Sequence, residues 1–182
     1  MLKQYMELKQ EYPDTLVLFR LGDFYELFFD DAKIASYELD LVLTARAAGN
    51  NQKAPMCGVP YHAISNYVKT LVNNGHKVAI VEQMEDPSKA VGIVRRDVVK
   101  VVSPGTMTDE WLDDKNKNMI AATTKFAGQY YMVTAELISG VSACEVIQAQ
   151  GKLLKEFILR HQIREMVISS QIDSESLHVL RE

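Results

Sequence analysis

The sequence predicts an α/β protein of two domains, and three observations carry that prediction. Short apolar runs of strand length alternate with amphipathic stretches of helix length. One helical stretch passes into an apolar run through Asn73-Asn74-Gly75, and a glycine there accepts the left-handed backbone that ends a helix. A charged run with few apolar anchors, residues 109–118, then separates two blocks of this pattern. At 182 residues the chain can build one sizeable core, or one complete domain and part of another.

Residues 1–12 set Leu2, Tyr5, Met6, Leu8 and Lys9 at helical spacing and stop before Pro13, so a helix is expected there. The run Leu16-Val17-Leu18-Phe19 is a strand, and Gly22 marks the turn after it. The next segment, residues 23–28, has two readings. Asp23 and Glu26 stand at capping-box spacing, which would make Phe24, Leu27 and Phe28 core residues of a helix start. If the segment stays extended, Phe24 and Glu26 share one face, because strand side chains repeat with period two.

Residues 30–39 read as a helix with Ala32, Ile34, Ala35 and Leu39 inward, followed by a short strand over 41–44 and an exposed turn over 49–53. A second amphipathic helix over 63–72 leads to strands over 77–81 and 98–102, the latter closed by Ser103-Pro104-Gly105. Beyond the charged run, strands are expected over 119–124, 130–136 and 141–146, a helix over 151–161 and a strand over 165–169. Strand, strand, strand, helix, strand resembles the opening of a ribonuclease-H-like sheet, and with a single crossover helix the second domain reads as incomplete. The expected divisions are a first domain over 1–108, a linker over 109–118 and a partial domain over 119–182.

Composition narrows the function. The apolar fraction of 47% and charged fraction of 24% are those of an ordinary globular protein. No apolar run approaches the roughly 18–20 residues that cross a bilayer, and the first residues lack a signal-peptide pattern, so no membrane partner and a cytoplasmic location are expected. Cys57 and Cys144 have no metal-ligand spacing and read as buried, unlinked thiols. A net charge of −4 argues against wrapping nucleic acid by bulk electrostatics; a DNA partner must be held by shape, by local contacts, or by other protein.

Four segments in one order are more specific than composition. They are Leu21-Gly22-Asp23-Phe24-Tyr25-Glu26-Leu27-Phe28, then Pro55-Met56-Cys57-Gly58-Val59-Pro60-Tyr61-His62-Ala63, then Val78-Ala79-Ile80-Val81-Glu82-Gln83-Met84-Glu85-Asp86-Pro87, and finally Arg95-Arg96 with the strand over 98–102 and Ser103-Pro104-Gly105-Thr106. Together they resemble the N-terminal part of the MutS family of DNA mismatch repair proteins. The resemblance weakens beyond about residue 110, where Glu136 and Ser139 stand where the family typically has aspartate and threonine.

The resemblance implies a mixed-sheet mismatch-binding domain, followed by a connector, at the start of a large homodimeric ATPase that clamps duplex DNA. It implies that Phe24 stacks on a mispaired base from the minor groove and that Glu26 hydrogen-bonds that base. Met56 is a candidate for the groove, and Arg46, Arg95, Arg96 and Lys100 for the phosphate backbone, although a strand would send Arg95 and Arg96 to opposite faces. The chain reads as roughly the first fifth of such a protein, short of a small leading arm. It carries no glycine-rich phosphate loop with Gly-Lys-Ser or Gly-Lys-Thr. ATP and Mg²⁺ are therefore expected of the longer protein and no cofactor of this part. The connector residues are expected to pass signals or to meet a downstream repair factor.

A competing class is a metal-dependent nuclease, for which Asp23, Glu26, Asp30 and Asp31 form a local acidic cluster. Against it, acids at positions 30 and 31 are what a helix start favours. No catalytic or metal-binding residue is expected.

Overall fold

The computed structural model describes residues 1–49, 52–86, 90, 92–107 and 118–181. It divides into two compact units, Met1–Pro104 and Gly105–Glu182.

The first unit holds three helices, α1 (Leu2–Glu11), α2 (Phe29–Glu38) and α3 (Ile64–Asn73), and six strands. The strands are β1 (Thr15–Leu21), β2 (Phe24–Phe28), β3 (Thr44–Gly49), β4 (Gln52–Pro60), β5 (Lys77–Gln83) and β6 (Arg96–Val102), in the order β3-β4-β2-β1-β5-β6. β1 lies parallel to β5 and the other pairs are antiparallel, so the sheet is mixed. β1 is central and buried from Thr15 to Phe19, which is why it reads as an unbroken apolar run.

The two faces of this sheet are covered differently. On one, Ala32 and Ala35 of α2 and Val68, Leu71 and Val72 of α3 are buried, and the Cys57 thiol donates to the Ala32 carbonyl. On the other, Tyr5 of α1 packs with Val17, Phe19, Phe28, Ala54 and Val81. Asp31 ties the unit together from inside: its carboxylate accepts from the Tyr5 hydroxyl at 2.7 Å and the Val17 amide at 3.0 Å, and pairs with Lys9 at 2.8 Å. Burial beside this carboxylate pushes the Tyr5 phenol far above its ordinary pKa.

Several sequence expectations are corrected here. Residues 23–28 form no helix start: Phe24 pairs with Leu21 across a two-residue turn, and Gly22 at φ 59° fills the first central position of that turn. The strand expected over 41–44 begins only at Thr44 and continues to Gly49, while β4, not anticipated, forms its partner. The inner face of α2 carries Asp31 with Ala32 and Ala35, whereas Ile34 is exposed. Met6 of α1 is also exposed. Of the two cysteines only Cys57 is buried, and burial pushes its thiol up to about 11; Cys144 is exposed, and both are free.

The second unit is a sheet of β7 (Met119–Phe126), β8 (Gln129–Glu136), β9 (Ser142–Gln148) and β10 (Ile163–Ile168), ordered β10-β7-β8-β9, with α4 (Gly151–His161) and α5 (Ser174–Arg181). β7, β8 and β9 form an antiparallel meander, and β10 returns parallel to β7 after the α4 crossover. Tyr130 and Met132 of β8 pack with Leu154 and Phe157 of α4.

Residues 109–117 of the expected linker lie outside the described residues. Asn118, assigned to that linker for its polarity, is buried: its side-chain amide donates to the carbonyls of Gly105 and Met107 at 2.9 and 2.8 Å. Gly105 itself packs within the second unit, where a Cβ would stand 2.6 Å from the Cβ of Glu165 and 2.7 Å from Cγ2 of Ile120. Only glycine fits so close an approach.

Candidate nucleic-acid interface

The site is built on one face of one end of the first sheet. Strand alternation puts Phe24, Glu26 and Phe28 of β2 on the face that α1 partly covers. Phe28 lies under the Tyr5 ring, with centroids 5.1 Å apart, and is fully buried. Phe24 is four residues away on the same face, beyond the reach of α1, and is 48% exposed. Glu26 sits between them.

The register brings the neighbouring strands to the same place. Glu26 stands opposite Gly58 of β4, and Phe28 opposite Met56. Met56 in turn faces Thr44 of β3, and Ala54 faces Arg46. Cross-strand partners share a face, so Phe24, Glu26, Met56 and Arg46 are gathered on three adjacent strands. Met56 is half-buried against the α1 core. All six residues of β3 are exposed, which leaves Arg46 at the surface. Its guanidinium meets the Glu26 carboxylate, Nη1 to Oε2, at 2.7 Å, with the glutamate side chain 16% exposed and the arginine side chain 43%.

The reverse face braces the turn that carries Phe24. The Tyr25 hydroxyl donates to Glu82, and the Arg20 guanidinium lies 5.3 Å from the Tyr25 ring centre and 4.1 Å from that of Tyr61. Burial first, and the Glu82 hydrogen bond second, push the Tyr25 phenol up to about 12, so it remains a neutral donor. The Tyr61 amide donates to the Asp23 carbonyl at 2.9 Å and fixes the other side of the turn.

The remaining candidates do not join this group. Arg96 shares the face but stands on β6, three strand positions from β2 and five from β3. Its guanidinium lies over the Phe19 ring at 5.1 Å and donates to the carbonyls of Arg20 and Val94 at 2.7 and 2.8 Å. Burial lowers its pKa. This is the bonding of a packing residue. Arg95 precedes β6; its side chain is 73% exposed and pairs with Asp97 at 3.3 Å. Lys100 is registered with Ile80, and Ile80 with Leu18, which puts Lys100 on the opposite face from Phe24.

The acidic cluster is dispersed. Asp31 is buried in the network that holds α1, Asp30 pairs with Lys33 at 2.8 Å, Asp23 forms the β1–β2 turn and Glu26 pairs with Arg46. Among the described residues no three His, Cys, Asp or Glu side chains are grouped to hold a metal ion. Among the same residues no helix is long and apolar enough to cross a membrane.

The Glu26–Arg46 pair is what sequence reasoning missed. The two residues are twenty positions apart on strands separated by a third, and nothing local in the sequence gives that order.

Comparison with known proteins bears on the same residues. Proteins described as DNA mismatch repair protein MutS match almost the whole chain: that of Clostridium kluyveri is 44% identical over 181 residues, covering 97% of this chain. That of Brevibacillus brevis is 44% identical over 168 residues and 92% of the chain, and that of Bacillus licheniformis 42% over 183 residues and all of it. The chain spans about a fifth of the length of these relatives, 20–21%. The family model described as MutS domain I matches residues 1–111, a range that holds every candidate above from Phe24 to Lys100. The chain belongs to the MutS family, with MutS domain I at its N-terminal end.

Proposed function

We propose that this chain recognises mispaired duplex DNA from the minor groove, with Phe24 as an aromatic wedge and Glu26 as a hydrogen-bond acceptor for the displaced base. The observation that carries this is the exposure of Phe24 on a strand whose other aromatic side chains, Tyr25 and Phe28, are buried. A large apolar ring held at the end of a braced strand is available to a flat partner.

The minor groove displays a degenerate donor and acceptor pattern, so edge chemistry alone reads a mispair poorly. Deformability reads it better. Opening a stacked step costs a few kcal/mol on intact duplex and less where a mispair already stacks badly. Phe24 converts that difference into preference, since stacking on an aromatic ring returns about 1–3 kcal/mol. Glu26, next outward-facing along the strand, accepts from a base N–H that the opened step presents. Met56 supplies apolar surface beside them and Arg46 a contact to backbone phosphate.

The net charge of −4 means that most phosphate neutralisation falls to other protein. In a full-length homodimer of this family, that work would belong to residues outside this chain, as would ATP and Mg²⁺, for which the present residues offer no phosphate loop. The strand order β10-β7-β8-β9 supports reading the second unit as the opening of a ribonuclease-H-like connector, suited to passing the recognition event to the rest of the protein or to a downstream repair factor.

The test is a duplex with 2-aminopurine beside a G·T mispair, titrated with the protein at low salt. Fluorescence should rise on binding as the probe unstacks, and Phe24→Ala should remove the rise while binding persists. A rise unchanged in that variant overturns the wedge.

A further inference from the structure

The mechanism above leaves a charge problem, and the geometry of the site supplies an answer that rests on the proposed role of Glu26. A bare carboxylate beside Phe24 would face the phosphates of any duplex that approached. In the free protein it is not bare: Arg46 reaches over β4 from the edge strand and holds it at 2.7 Å. Gly58, directly across from Glu26 on β4, contributes no side chain, so the space over β4 beside the carboxylate stays open.

We infer that Arg46 is a specificity-determining residue whose guanidinium is exchanged between Glu26 and a DNA phosphate, so that its phosphate contact is made without penalty only where Glu26 finds a base donor. Glu26 and the phosphate compete for Arg46. Arg46 is exposed and its pairing with Glu26 is a surface ion pair, a class of interaction that is easily given up. A backbone phosphodiester offers the same fork of donors an anion of equal charge. On a mispair the opened base takes over Glu26 and Arg46 passes to the backbone, so both partners remain satisfied. On paired duplex no base donor is presented. Arg46 then reaches the phosphate only by leaving an unpaired carboxylate beside the backbone. That penalty weakens binding where no mispair exists.

A double-mutant cycle on fully paired duplex tests this, because no wedge insertion is involved there. Affinities of the wild-type chain, Glu26→Gln, Arg46→Gln and the double variant for a labelled, paired duplex are measured by anisotropy at low salt. Glu26→Gln should tighten binding, and by a factor up to about fivefold greater with Arg46 present than with glutamine at 46, the range of an exposed ion pair. Equal factors in the two backgrounds would make Arg46 a plain phosphate contact, and a larger factor without Arg46 would mean that the pair persists on DNA; both overturn the exchange. A second measurement needs no DNA. Glu26→Gln should shift the Arg46 Nε–Hε resonance of the free chain, and an unchanged resonance overturns the pairing itself. The wedge fails separately, on the Phe24→Ala titration.

Discussion

Phe24 and Phe28 occupy the same face of the same strand and have opposite fates. Phe28 is enclosed by Tyr5 and Val17, while Phe24 stands clear of the helix that covers them. Side-chain type cannot tell the two apart; only the extent of α1 does. The acidic residues of the same region divide in a similar way. Asp31 is buried and satisfied by Tyr5, Val17 and Lys9, so it acts as the pin between α1, α2 and β1. Removing one partner of a buried pair leaves the other unsatisfied and costs about 3–5 kcal/mol. Asp31→Ala should therefore lose stability of that order in urea unfolding followed by far-ultraviolet circular dichroism. A loss no larger than that of a surface substitution would contradict the role of Asp31. In the sequence this residue reads as one acid among four near a helix start, because burial by a helix 20 or more residues upstream is invisible there.

At the scale of elements, legibility followed the regularity of the pattern. β1 and β5 are apolar runs buried in the middle of the sheet, and α4 was bounded correctly by Gly151 and His161. β4 was missed because Pro55, Gly58 and Pro60 interrupt it, and these are residues that usually argue against a strand with two neighbours. α5 was missed because only one turn-like signal precedes it. That signal is Asp173: it accepts from the Ser176 amide at 2.9 Å as a helix cap and pairs with Lys125 at 2.6 Å. The hydrogen bond from Lys125 first, and those from Ser176 next, hold the Asp173 carboxyl well below the usual carboxylate range. A depressed folded pKa stabilises the fold at neutral pH, and that contribution is lost as pH falls from about 4 towards the folded value. Asp173→Asn keeps a capping side chain and removes the charge. The variant should melt below wild type at pH 7, and the gap should close as pH drops below about 4. A gap independent of pH would contradict the assignment to Lys125.

For the whole molecule, family membership was legible from four motifs in order, and the match over residues 1–111 covers the same stretch. The gathering of Phe24, Glu26, Met56 and Arg46 was not legible, since it depends on the strand order β3-β4-β2. Register puts Lys100 on the opposite face and the carbonyls of Arg20 and Val94 hold Arg96, so neither joins the group, although both are basic and lie in the same motif-rich region. The central claim is that Phe24 serves a partner and not the core. The measurement that tests it most directly compares Phe24→Ala with Phe28→Ala in a full-length protein bearing this segment, recording for each the melting temperature and the ratio of affinities for mispaired and paired duplex. Phe24→Ala should leave the melting temperature nearly unchanged and cost about 1–3 kcal/mol of mismatch preference, bringing the ratio towards one. Phe28→Ala should instead lose about 3–5 kcal/mol of folding stability. A Phe24→Ala protein that melts early yet keeps its ratio would make Phe24 a packing residue and contradict the account.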